Sequence, residues 1–297
     1  MTSKTKITIA SLIIIALAAV IFFTLSGHTF KKTTKAVNSS DKSAKVNGSV
    51  PAVQKNDNPN AASSVKPDAA ATKADVQAMA LKSDLNNYVL KVITSYEGGN
   101  YPYLLNTDYD HYNGVTQNII YKGSIMAKAD PDGSRSSHCV GLTYEVFFKA
   151  MQERNMEAGI SGDNFNNMTI NNMKDFMLTW YNAEGTPKSE GDQLAGAIVK
   201  YGLGTQVKRL EDAKAGDFID FSRTKSGHAA VFVNWIRDNN GNIVGFKYWS
   251  TQESTNGIAY KVEYFSDNSE SAFKGTVDRK ELYIGRIGSI SNYKSFQ

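Results

Sequence analysis

Hydrophobic and polar positions change character three times along the 297 residues. From Ile7 to Leu25 the chain reads ITIASLIIIALAAVIFFTL, 19 positions without a charge, a proline or a glycine, preceded by Lys4 and Lys6. At 1.5 Å per residue a helix of that length spans roughly 28 Å, about the hydrocarbon core of a bilayer. The run is longer than the roughly 7–15 apolar residues of a secretory signal, and Ser26-Gly27-His28 offers no small-x-small cleavage site. The pattern therefore predicts a membrane anchor within residues 1–30; a cleaved signal, giving a secreted protein, is the alternative. Lys31, Lys32, Lys35, Lys42 and Lys45 follow the span and count against export of what comes after it, but long domains translocate regardless of such charge. The expectation is a single-pass protein whose C-terminal part lies outside the cytoplasm.

Residues 31–84 contain no aromatic side chain and are rich in Ala, Ser, Asn, Asp and Lys. Such a stretch buries too little apolar surface to offset its ordering entropy, so a disordered linker is expected, with transient helix around Ala69–Leu81. Every Tyr and Trp lies at or after Tyr88, which marks 85–297 as the folded domain. Its first half has helical spacing: about 76–96, then Cys139–Arg154, then an irregular region over 169–182 and 190–202, with a loop through Gly98-Gly99 and Asp130–Gly133. From Gly216 the pattern turns to strands: FIDF (218–221), HAAVFVNWI (228–236), IVGFKYWST (243–251), IAYKVEYF (258–265) and ELYIGRI (281–287). Helices followed by an antiparallel sheet define an α+β fold.

Composition narrows the chemistry. A net charge of +4, from 33 Lys and Arg against 29 Asp and Glu, gives no basic cluster of the kind that binds phosphate backbones, so no nucleic-acid partner is expected. One cysteine excludes an intramolecular disulfide, and four scattered histidines, His28, His111, His138 and His228, leave no structural zinc cluster to write. No metal or organic cofactor is expected. The lone thiol is either an inert packing group or a nucleophile.

Cys139 follows Ser136 and Ser137, good N-cap types, and precedes Leu142, Val146, Phe147 and Ala150 at helical spacing. In the first turn of a helix the macrodipole and free N–H groups favour a thiolate and lower its pKa, and the same groups can hold an oxyanion. A thiol nucleophile needs a base. His228 starts a strand after the Ser226-Gly227 turn, and the small residues Ala229 and Ala230 leave its ring approachable. Alternation puts His228, Ala230, Phe232 and Asn234 on one face and Ala229, Val231, Val233 and Trp235 on the other. If DNNGN (238–242) is a hairpin turn, residue 228 faces residue 252, which makes Gln252 the candidate to hold the imidazole through its carbonyl, with Ser250 in reserve.

The string HCVGLTYEVFF resembles the D-C-S-G-[LF] helix start of the NlpC-type cell-wall cysteine peptidases. AGDFIDF and SGHAAVFV are similar to their G-D-[LF]-x-x-F and G-H-[VA]-x-[IV] strands, a plan shared by the CHAP amidases. The resemblance covers roughly 135–155 and 214–255, and its specific part is the order Cys, GD, GH, polar strand end. It implies a papain-like fold, a peptidoglycan or other peptide substrate, and Cys139, His228 and Gln252 as nucleophile, base and orienting residue. Three departures stand out: His138 replaces the Asp before the nucleophile, so that residue's local contact is expected to be lost; Gln252 stands where His is common; and about 75 residues separate Cys139 from Gly216-Asp217, enough for an inserted helical lobe. In this resemblance Tyr101, Tyr103 and Tyr121 are possible substrate contacts, although aromatic core is the simpler reading of them. A papain-like protease or acyltransferase with another acyl substrate, and a catalytically idle cell-surface binding module, are the competing functions.

Overall fold

The computed structural model describes residues 72–106, 108–183 and 193–296. The apolar span 7–25 and the linker up to residue 71 lie outside them. Among the described residues no helix is long and apolar enough to cross a membrane.

Thr72 and Asp75 form a capping box that opens α1 (Lys73–Lys82). The helix expected over 76–96 is two helices. Ser83 takes an extended backbone, returning both its N–H and its hydroxyl to the Met79 carbonyl, and Leu85 N–H is drawn to the carbonyl of Ile287 at 3.0 Å. Tertiary bonding thus ends α1 and starts α2 (Asn86–Thr94) at a new angle. Residues 72–84, which fall within the expected disordered linker 31–84, are instead ordered, with α1 packed on the domain's long helix.

The stretch after α2 carries a hairpin that its loop-like composition hides, β1 (Ile119–Tyr121) and β2 (Ser124–Ala127). Lys122 and Gly123, with φ of 48° and 78°, form the two-residue link with both φ positive that suits the strand twist. The long helix α3 (Cys139–Glu157) follows, then α4 (Ile170–Trp180) and α5 (Gln193–Lys200). Two charged groups buried along α3, Glu145 and Arg154, are paired. Glu145 accepts from Thr116 N–H, Tyr96 and Lys149, and Arg154 donates to the Gly288 carbonyl and Tyr293.

The strands β3 (Gly204–Gln206), β4 (Phe218–Arg223), β5 (Ser226–Arg237), β6 (Ile243–Gln252), β7 (Gly257–Tyr264) and β8 (Val277–Ile287) form one antiparallel sheet in the order β3-β8-β4-β5-β6-β7. The observed class is α+β, as expected. One sheet face, with Phe218, Ala229, Val231 and Trp249, buries against α2 to α5; the other, with Ile219, Phe221, Ala230, Phe232, Phe246 and Tyr248, forms a second core. α4 and α5 contribute Met173, Phe176, Trp180, Leu194 and Ile198 to the first core, so these helices are part of the domain's interior and not an appended lobe.

Two bulges correct the expected alternation. Val233 in β5 and Val244 in β6 are each an extra residue. Beyond Val233 the faces exchange, and Trp235 packs against Phe232, with ring centroids 4.6 Å apart, in the second core instead of beside Val231. Being one on each strand, the bulges cancel. Val231 pairs with Trp249 and Phe232 with Tyr248, the register that, continued, sets residue 228 opposite residue 252 as expected.

Candidate functional site

The start of α3 is built by a histidine. The N-cap is His138, not Ser136 or Ser137: its backbone is extended, and its Nδ1 accepts from Gly141 N–H at 3.3 Å. The expected loss of a local contact on replacing Asp by His is therefore corrected, because an unprotonated Nδ1 accepts at the cap as a carboxylate does. The ring lies buried between Tyr112 and Tyr181, edge-on to both, and burial holds its pKa down at about 4, so it stays neutral and keeps its acceptor.

Glycine is required at Gly141 by close approach. A Cβ there would stand 2.3 Å from the carbonyl oxygen of Gly114, which itself accepts from His138 N–H at 3.2 Å. Replacing Gly141 by Ala forces the 113–114 loop off α3 and is expected to cost about 1–3 kcal/mol, read as a lower urea midpoint with an unchanged slope. An unchanged midpoint would show that the loop yields freely.

Cys139 is the first residue of α3 and keeps partial exposure. Its sulfur lies within hydrogen-bonding reach of the Ala229 and Val140 backbone N–H groups. The ladder between β5 and β6 has ended by then, at Val231 and Trp249, leaving Ala229 N–H free of β6. The expected low thiol pKa is not found: burial pushes it up, Asp220 adds to that, and the two N–H groups and Arg223 oppose it without prevailing.

His228 is the next residue back along the strand. It pairs with Phe221 on β4, and its ring meets the edges of Phe221 and Tyr248 at 5.4 and 5.6 Å, on the face of the second core. Burial, then Arg223 and Lys261, lower its pKa to about 3. Its Nε2 is buried without a partner, and no hydrogen bond joins it to the thiol. Gln252 shares this face and register, but its carbonyl does not hold the ring. It accepts from Tyr248 Oη at 3.0 Å and from Arg223 Nη2 at 3.4 Å, and since Arg223 can only donate, the amide is oriented with its NH₂ group away from them, buried and unpartnered. Ser250 is spent on the fold, donating to the Ala229 carbonyl at 2.8 Å. The structure thus sets His228 and Gln252 on one face of the sheet, both beside Tyr248, and the thiol on the other, against Ala229.

Several residues that sequence reasoning passed over complete the surroundings. Arg223 pairs with Glu263 at 2.9 Å and fixes Tyr248 and Gln252; nothing in the sequence marks these residues, because they come from β4 and β7, which β5 and β6 separate in the sheet. Tyr103, half-buried, bridges to Ser137, and its hydroxyl pKa is raised by burial and then by Cys139 and Glu253, so it stands on the thiol's side. Tyr121, in contrast, is core, donating to the Met168 carbonyl at 2.8 Å. Asp217 of the GD pair is structural: buried, it accepts from Asn86, Lys214 N–H and twice from Arg286, tying α2 and β8 to the start of β4. Among the described residues no three His, Cys, Asp or Glu side chains converge as a metal site.

Compared with protein-family models, with curated proteins and with solved structures, the chain finds no match.

Proposed function

We propose that this protein is a cell-envelope cysteine hydrolase of papain-like plan, anchored through residues 7–25, that cleaves amide bonds in peptidoglycan peptides. What supports the reading is one arrangement. The chain's only thiol opens a buried helix beside Ala229, and the residue before Ala229 is a neutral imidazole that shares a sheet face and Tyr248 with Gln252. In the reaction His228 accepts the thiol proton as sulfur attacks the scissile carbonyl carbon. Cys139 N–H donates to the oxyanion, and the imidazolium returns its proton to the departing amine. Water, deprotonated by the same ring, then releases the acyl group from sulfur. For the first step the start of β5 must twist so that the ring, which faces Phe221 and Tyr248 on the second-core side, comes round to the α3 side of the sheet.

The idle binding module is the second reading, and one observation favours it: the thiol is pushed up, the imidazole down, and no hydrogen bond joins them. The full chain and its Cys139→Ala variant, incubated with purified peptidoglycan and followed by mass spectrometry, separate the two. Soluble fragments from wild type alone are expected, and their masses name the bond. No fragments, with Cys139 still alkylated by iodoacetamide, would transfer the enzyme to protein or other acyl substrates. No fragments and an inert thiol would leave the binding module.

A further inference from the structure

Apart from the thiol, the domain carries a cleft of about 240 Å³ between the turn after α2 and the outer strand β7. Its apolar walls are rings: Trp249 and Tyr96 at the floor, Tyr101 at one side and Tyr260, 42% exposed, at the rim. Its polar groups are Glu97, Asn100 and Asn256, all exposed, and none of their side chains makes a hydrogen bond among the described residues. Aromatic faces beside unspent amide and carboxylate groups suit a ligand with apolar C–H faces and a rim of hydroxyls or amides.

Charge decides between ligand classes. Among the described residues the one charged residue lining the cleft is Glu97, which disfavours a phosphate or carboxylate. An ammonium group is also a poor fit. Lys149, Arg135 and Lys247 already stand over the rings of Tyr96, Tyr101 and Tyr260, at 4.7, 4.2 and 5.0 Å, so the rings' attraction for a cation is already met. What remains is a neutral polyhydroxylated ring. From these observations we infer that the cleft is a saccharide-binding subsite.

Its connection to the segment that leads to the thiol gives it a use. Gly257 abuts the Tyr101 carbonyl, where a Cβ would stand at 2.3 Å, and the chain continues from Tyr101 through Tyr103 to its bridge with Ser137, two residues before Cys139. A glycan seated in the cleft lies at one end of this segment, with the thiol at the other. That use rests on the proposed hydrolase reading; the binding itself does not.

The test titrates the full chain with the trimer of N-acetylglucosamine, followed by calorimetry and by tryptophan fluorescence, to which Trp249 contributes beside Trp180 and Trp235. Saturable binding is expected, weakened about tenfold or more by Tyr260→Ala, restored by Tyr260→Phe, and retained by Cys139→Ala. Asn100→Ala, in an exposed turn, carries the same expectation if Tyr260→Ala fails to fold. Absence of saturable binding, or equal binding by both cleft variants, would overturn the inference, as would a sugar-free three-residue stem peptide that binds with the same dependence on Tyr260. Trimer binding without peptidoglycan cleavage removes the hydrolase reading alone, and cleavage without trimer binding removes the saccharide subsite alone.

Discussion

Replacing His228 by alanine is expected to lower peptide release at pH 7 by about a thousandfold, within the range seen for loss of a general base. The reason lies in the thiol. Burial holds the Cys139 pKa above its ordinary value, so at neutral pH little thiolate exists and the proton must be removed during attack. In wild type the folded domain keeps its imidazole neutral, so between pH 7 and about 5.5, where the fold still holds, cleavage should not fall as it would on protonation of an ordinary histidine. In the His228→Ala variant sulfur must ionise unaided. Its rate should rise about tenfold per pH unit up to the thiol pKa, and the gap to wild type should close in alkali. A purely structural histidine would lower activity equally at all pH. A variant rate that runs parallel to wild type across pH 6–10 therefore removes His228 from the base role.

Acid should unfold the domain before its carboxylates begin to protonate. His138 and His228 are buried and neutral, with pKa values held at about 4 and about 3, whereas in the unfolded chain both return to 6.5. Between those values the unfolded chain binds more protons, so stability rises with pH: it is complete above about 6.5 and is lost progressively as pH falls towards 4. At about 1.4 kcal/mol per unit, each histidine removes roughly 3 kcal/mol by pH 4, an upper figure that together approaches the whole stability of a typical domain. Protonation of His138 also destroys its cap, since Nδ1–H cannot accept from Gly141. Carboxylates held low, such as Asp175 beside Lys200 and Tyr201, respond only below this window. Urea midpoints at pH 7, 5.5 and 4 should fall steeply. The double variant His138→Asn with His228→Gln, which keeps a cap acceptor and a polar group at the strand, should flatten the dependence. A wild-type midpoint constant from pH 7 to 4 would falsify it.

The local patterns and what packing added to them separate cleanly in this protein. The α+β order, the strands from Phe218 to Ile287 and the start of α3 at Cys139 were legible, because each depends on periodicity, capping chemistry or composition within a short window. The register that β5 and β6 keep as far as Val231 and Trp249 was legible too, since the bulges at Val233 and Val244 cancel. What depends on distant partners was not. The break at Ser83 is made by Ile287; the cap fell to His138 because Gly114 and the rings of Tyr112 and Tyr181 bury it; and the face of Trp235 follows a bulge that no local signal marks.

The candidate site divides in the same way. Sequence alone determined which residues can do the chemistry, since only Cys139 is a thiol and His228 starts a strand beside small residues. Tertiary structure decided their ionisation and orientation. Desolvation depends on everything packed around a group, so the thiol went up where its helix position alone predicts down. The ring settled against Phe221 and Tyr248, and Arg223, brought by the sheet, turned the Gln252 carbonyl away from it.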